Sequence, residues 1–168
     1  MIFTSQSGIT DAGRLAEWGE WYLGHLAAMA AVPGIGSAQR FWTDDPGHPP
    51  NLAMYSIASP AVFESEIYLR TRGMGPWVPL IDRRYYRRNL FDGLEVAPEV
   101  APDQVLVVAE RDAPAPADPR VTWLRTVGLD RTTRFRGIAV LREPDARALA
   151  GALGEPVALY RPISRRYP

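Results

Sequence analysis

Apolar residues at positions 15, 18, 22, 26 and 29 follow the i, i+3, i+7 spacing that lines one face of a helix. Leu15, Trp18, Tyr22, Leu26 and Met29 form that stripe, and Trp21 and His25 sit one turn apart on its flank. Thr10 or Asp11 can cap the helix by accepting bonds from its first free amides. Val32-Pro33-Gly34 ends it, because proline disfavours helical geometry in the preceding residue and glycine permits a reversal. The period then changes to two. Residues 35–42 alternate as a strand, with Ile35, Ser37, Gln39 and Phe41 on one face and Ala38, Arg40 and Trp42 on the other.

Residues 52–58 predict the antiparallel partner of that strand across a turn-rich loop at 43–50. An N-terminal strand at 2–6 precedes the helix. Ser59-Pro60 opens a second helix over 61–70, with serine as cap and proline in the first turn. A glycine-rich aromatic segment at 72–79, a short helix over 81–88 and a strand at 89–96 follow. After a linker at 98–102 come strands at 104–110, 121–128 and 136–142, a proline-rich loop at 113–119, a helix over 143–153 and a strand at 157–163. Glu143-Pro144-Asp145 echoes Ser59-Pro60-Ala61, so the second half reads as a reduced copy of the first. The expected class is α+β, in two units (1–97 and 98–168) that share one core.

Composition narrows the chemistry. All 19 basic residues are arginine, matched by 19 acidic ones, and there is no cysteine. Without lysine, Schiff-base chemistry and a Walker-type phosphate site are impossible. Without cysteine, thiolate nucleophiles, disulfides and cysteine-ligated metals are excluded. Zero net charge gives no global field for nucleic acid or membrane. Arg83-Arg84-Tyr85-Tyr86-Arg87-Arg88 is therefore read as a solvated, salt-bridged helix end rather than a nucleic-acid patch, one that could also attract an anionic substrate locally. No secretory leader pattern opens the chain and no apolar run is long enough to span a bilayer, so a cytoplasmic location is expected.

Trp21-Tyr22-Leu23-Gly24-His25, Val32-Pro33-Gly34-Ile35, Ser37-Ala38-Gln39-Arg40-Phe41, Arg72-Gly73-Met74-Gly75-Pro76-Trp77 and Arg87-Arg88-Asn89-Leu90 occur in this order within the first 95 residues. On these motifs the chain resembles the EthD-like group of the dimeric α+β barrel superfamily. The resemblance implies a ferredoxin-like βαββαβ half plus a reduced second half, with antiparallel sheets packed as an α+β barrel. It further implies a small-molecule pocket between sheet and helices, cofactor-free cyclase, isomerase, lyase or oxygenase chemistry or haem handling, and a homodimer. The shortened second half departs from the group's pattern, since one chain can then supply both sheets.

His25 is the leading candidate for chemistry. A neutral imidazole exchanges protons near neutral pH, and burial beside Trp21 and Tyr22 would lower its pKa. The competing reading is a structural imidazole bonded to backbone or to the returning strand. Tyr22 can donate to a substrate carbonyl, and Ser37, Gln39 and Arg40 can orient an oxygen if their strand faces meet the pocket. Trp77, set among glycines, reads as either a pocket lid or an anchor. Tyr55 and Tyr68 are candidate pocket walls. Asp44, Asp45 and His48 share a polar loop rather than a metal site. The expected activity is cofactor-independent turnover of an apolar aromatic or polyketide-like carbonyl compound, with haem on His25 or a non-catalytic binding role as alternatives.

Overall fold

β1 (Ile2–Ser7) is buried along its whole length, which a strand achieves only when both its faces are covered. The computed structural model describes residues 1–114 and 118–168 and shows what covers them. Residues 115–117, in the middle of the expected proline-rich loop, lie outside the described residues. The remaining strands are β2 (Ile35–Trp42), β3 (Asn51–Ile57), β4 (Arg87–Asp92), β5 (Gln104–Arg111), β6 (Thr122–Leu129), β7 (Phe135–Arg142) and β8 (Val157–Pro162). They form a closed antiparallel barrel in the order β1-β3-β2-β8-β5-β7-β6-β4. The two halves contribute β4-β1-β3-β2 and β8-β5-β7-β6, the same relative order twice. Closure therefore occurs within one chain, and it removes the free sheet edges that invite pairing.

Alternation along the strands divides the core in three. Ile2, Phe41, Leu52, Met54, Phe91, Leu106, Val108, Leu124 and Ile138 fill the barrel. On the outside of the first half, Phe3, Ala38, Tyr55 and Ile57 pack against α1 (Leu15–Ala30), which buries Trp18, Tyr22, Leu26 and Met29 as its stripe predicts. On the outside of the second half, α3 (Glu143–Leu153) covers Val105, Val107 and Ala139 with Ala146 and Leu149. No helix among the described residues is long and apolar enough to cross a membrane.

Three local expectations are corrected. A β-bulge between Ile35 and Ser37 breaks the alternation, so Ile35 joins the helix-side core while Ser37 faces the barrel interior. The helix expected over 61–70 is split into a 3₁₀ turn at Pro60–Glu64 and α2 (Glu66–Thr71). Ser65 supplies the cap, its hydroxyl accepting from the Tyr68 amide at 3.3 Å, whereas Ser59 makes no side-chain cap bond. The helix expected over 81–88 is absent. Asp82 instead accepts from the Arg84 amide at 3.0 Å and from its guanidinium, a local turn that competes with helix, and β4 starts at Arg87.

The expected linker is built into the core. Gln39 donates to the Val100 carbonyl at 2.8 Å and accepts from the Val100 amide at 3.0 Å, while the Ala97 amide donates to Ser56 Oγ at 2.8 Å. Ser56 Oγ in turn lies 2.6 Å from Ser37 Oγ. Ala97 and Val100 thereby enter the barrel core and lock the connection between the halves.

Gly34, in the turn after α1, has φ +90, and a Cβ there would lie 2.6 Å from Val62 Cγ2. Gly34→Ala is expected to cost about 2 kcal/mol through backbone strain and the clash. Chemical denaturation measures it, and a loss below about 0.5 kcal/mol would show that the turn adjusts freely.

Candidate functional site

The outward face of the first half-sheet carries polar residues where α1 and α2 do not seal it. A cavity of about 480 Å³ opens there. Phe3 and Ser5 of β1 and Tyr55 of β3 form its floor, Tyr22, His25 and Met29 of α1 one wall, and Tyr68 of α2 with Met74 another. Leu69, Gly73, Tyr86, Arg72 and Arg88 complete the lining. Phe3 and Tyr55 stack with centroids 5.2 Å apart, so the floor is a flat aromatic surface.

His25 lies flat against Trp21, with ring centroids 5.0 Å apart and planes 7° from parallel, and Tyr22 meets it edge-on at 5.8 Å. Burial alone lowers its pKa to about 4, with no charge or hydrogen bond contributing. The imidazole is therefore neutral at pH 7 and carries an unused acceptor. This low value ties stability to pH. The unfolded chain takes up the His25 proton near pH 6.5 and the folded chain only near pH 4. Stability is accordingly unaffected above 6.5 and falls as pH drops from 6.5 to 4, by at most on the order of 3 kcal/mol for a partly exposed ring. Denaturation at pH 7 and pH 4.5 should show a smaller pH difference in His25→Phe than in the parent. An equal difference would mean that His25 is not desolvated.

The phenols are donors held neutral. Burial raises Tyr22 above its ordinary pKa, against the opposing pull of Arg40, Asn51, Ser5 and Ser7 around it. Burial also pushes Tyr55 well above 10, and the neighbouring Tyr22 and Tyr68 add to the shift. Beneath Tyr22, Arg40 donates to Asn51 Oδ1 at 2.5 Å and to the Gly19 carbonyl at 3.1 Å, and Asn51 donates to Ser7 Oγ at 3.1 Å. The Arg40 guanidinium lies 4.3 Å from the Tyr22 ring centroid. Burial lowers its pKa to about 10, which still leaves it charged at neutral pH. It holds a positive charge under the cavity without lining it.

The structure thus brings together His25, Tyr22 and Tyr55, with Trp21 behind the imidazole and Arg40 below the phenol. It does not bring Ser37 or Gln39 to the cavity, because both face the barrel interior on the opposite side of the sheet. Trp77 is an anchor: only 3% exposed, with the Arg14 guanidinium 4.5 Å over its ring. Arg72, Gly73 and Met74, upstream of it, are the parts of that segment that reach the cavity. Ser5 and Arg72 were not candidates on sequence, and Tyr86 and Arg88 entered only as part of a run able to attract an anionic substrate. Ser5 could have been found as the polar residue next to Phe3 on a strand face that α1 covers. The helix expected at 81–88 obscured the placement of Arg88 on β4, beside the cavity.

The loop holding Asp44, Asp45 and His48 is structural. Asp44 accepts from Trp42 Nε1 at 2.9 Å, and His48 approaches Glu155 at 4.0 Å. Among the described residues, no group of three or more histidine or carboxylate side chains is placed to hold a metal. No protein-family model matches the chain, and no curated protein matches it. The chemistry on offer is a neutral acceptor imidazole and neutral phenols lining one cavity over an aromatic floor.

Proposed function

We propose that the chain is a cofactor-independent enzyme of cyclase, isomerase, lyase or oxygenase type, acting in this cavity on an apolar aromatic or polyketide-like carbonyl compound. The observation that carries the reading is His25, a half-buried neutral imidazole with no hydrogen-bond partner among the described residues, on the wall of a tyrosine-lined cavity. Its free nitrogen takes a proton from the carbon next to the carbonyl, giving imidazolium and enolate. The Tyr22 and Tyr55 hydroxyls donate to the enolate oxygen, and the Arg40 charge below Tyr22 favours the developing anion. An imidazole with a pKa of about 4 is a weak base. It suits an acidic C–H between two carbonyls better than that of a simple ketone, and the nascent enolate raises its basicity as the proton arrives.

The reading extends to the family: the first half would be a ferredoxin-like βαββαβ unit and the second a reduced one, together an EthD-like α+β barrel. The strand order repeated in the two halves supports it. A homodimer would then form through surfaces outside the barrel, since both sheet edges are paired within the chain.

The test uses benzoylacetone, a small aromatic 1,3-diketone, and follows exchange of its central protons for deuterium by NMR. The parent protein should accelerate exchange over buffer and His25→Gln should not. Equal acceleration by both would end the proposal. Haem bound through His25 is the second reading, favoured by the same unpartnered imidazole. The Ser5 hydroxyl in the cavity floor weighs against it, because a porphyrin face packs best on wholly apolar walls. A Soret band that appears on adding haem and is lost in His25→Gln would reverse that order. A ligand that binds and is recovered unchanged would indicate a binding protein.

A further inference from the structure

The cavity wall is charged in one sense only. Arg72 and Arg88 both line it, and no aspartate or glutamate does. Neither guanidinium is well satisfied within the protein. Arg88 has a single side-chain contact, 3.4 Å to Asp130 Oδ1, and its Nε is buried without a partner. Arg72 forms no ion pair among the described residues. Tyr68 and Tyr86 line the cavity with them, and Arg88 lies 5.8 Å from the Tyr86 ring centroid. His25, Tyr22 and Tyr55 line the same cavity, so it combines two cationic groups with a neutral imidazole and neutral phenols.

A planar guanidinium matches a carboxylate with two parallel hydrogen bonds, and partly enclosed walls of one sign concentrate the field on an anion. A neutral ligand would leave the Arg72 and Arg88 charges with no counter-ion in the cavity wall, Asp130 lying outside the lining. A volume of about 480 Å³ has room for a fused two-ring compound. We propose that the cavity selects an aromatic or polyketide-like carboxylic acid, its carboxylate held by Arg88 and Arg72 and its reacting carbonyl turned toward His25. This names the substrate class for the enzymatic reading above and rests on it for the carbonyl. The carboxylate pole rests on the arginines alone.

Calorimetric titration of the intact protein with 2-naphthoate and with 2-naphthamide tests it, since the two differ little in shape but only the acid is charged. The acid should bind at least 10-fold more tightly, its affinity should fall as salt rises, and the preference should shrink to about 2-fold in Arg72→Gln/Arg88→Gln. If the double variant does not fold, Arg72→Gln, altered at an exposed position, should still lose part of the preference. Equal binding of acid and amide, no binding of the acid at millimolar concentration, or a preference unchanged in Arg72→Gln would overturn the proposal. His25→Gln separates the two claims. It should keep the acid preference, so loss of proton exchange with the preference intact supports both, and exchange that persists without His25 sinks only the catalytic reading.

Discussion

Glu110→Ala is expected to lower the unfolding free energy by about 3 kcal/mol, more than removing an ordinary surface ion pair would. Its partner Arg136 is 1% exposed, inside the barrel. The guanidinium donates to Thr4 Oγ1 at 2.8 Å, to Gln6 Oε1 at 2.7 Å and to the Glu110 carboxylate, and it covers the Phe91 ring at 4.8 Å. Arg87 approaches the same carboxylate at 3.8 Å. Removing the carboxylate strands one fully buried and one half-buried positive charge, while the neutral oxygens of Thr4 and Gln6 satisfy geometry but not charge. Glu110 is itself partly exposed, so the loss should fall at the lower end of the 3–5 kcal/mol typical of a broken buried pair. Adding Arg136→Met to Glu110→Ala should recover part of it, since the stranded charge goes too. Urea denaturation of the two single variants and the double variant gives the coupling energy. A Glu110→Ala loss below about 1 kcal/mol would show that water reaches Arg136.

Because Arg136 joins β7 of the second half to β1 of the first, the same experiment addresses how the halves hold together. They should unfold in one transition, and Glu110→Ala should lower its midpoint without splitting it.

The second large effect is on chemistry. His25→Gln should reduce proton exchange on benzoylacetone by about 10²- to 10³-fold, the usual share of one positioned acid or base. Glutamine keeps polarity and approximate volume but cannot accept a full proton. Binding of 2-naphthoate should be nearly unchanged, and so should stability at pH 7, where the native imidazole is neutral and forms no hydrogen bond among the described residues. An inactive variant that also fails to bind or unfolds readily would mean that His25 shapes the cavity rather than reacting in it. Tyr22→Phe, which keeps the buried ring but removes the hydroxyl, should give a smaller loss, because Tyr55 still offers a donor to the enolate.

Much of the architecture was legible from local physics. The stripe from Leu15 to Met29 specified both the helix and the face it buries, since an amphipathic helix has one way to hide its apolar residues. β2 was placed at its observed boundaries because glycine-terminated reversal and period-two alternation coincide there. The failures at 61–70 and 81–88 share a cause. Ser65 and Asp82 each made a local side-chain to backbone bond that competes with helical continuation, and propensity does not weigh such bonds.

The linear chain thus determined the alternation of elements, the core stripe of α1, and the chemistry that lysine and cysteine would have supplied and cannot. It also singled out His25. Only the tertiary structure decided which face of each strand meets the barrel and which meets the helices. Alternation defines two faces, but in β1, β2 and β3 both are buried, so hydrophobicity cannot tell them apart. That choice put Gln39 and Ser37 into the connection between the halves, and put Ser5 and Tyr55 under His25. Membership of the cavity, Arg72 and Arg88 included, depends on contacts between strands and helices far apart in sequence, and no local pattern encodes those.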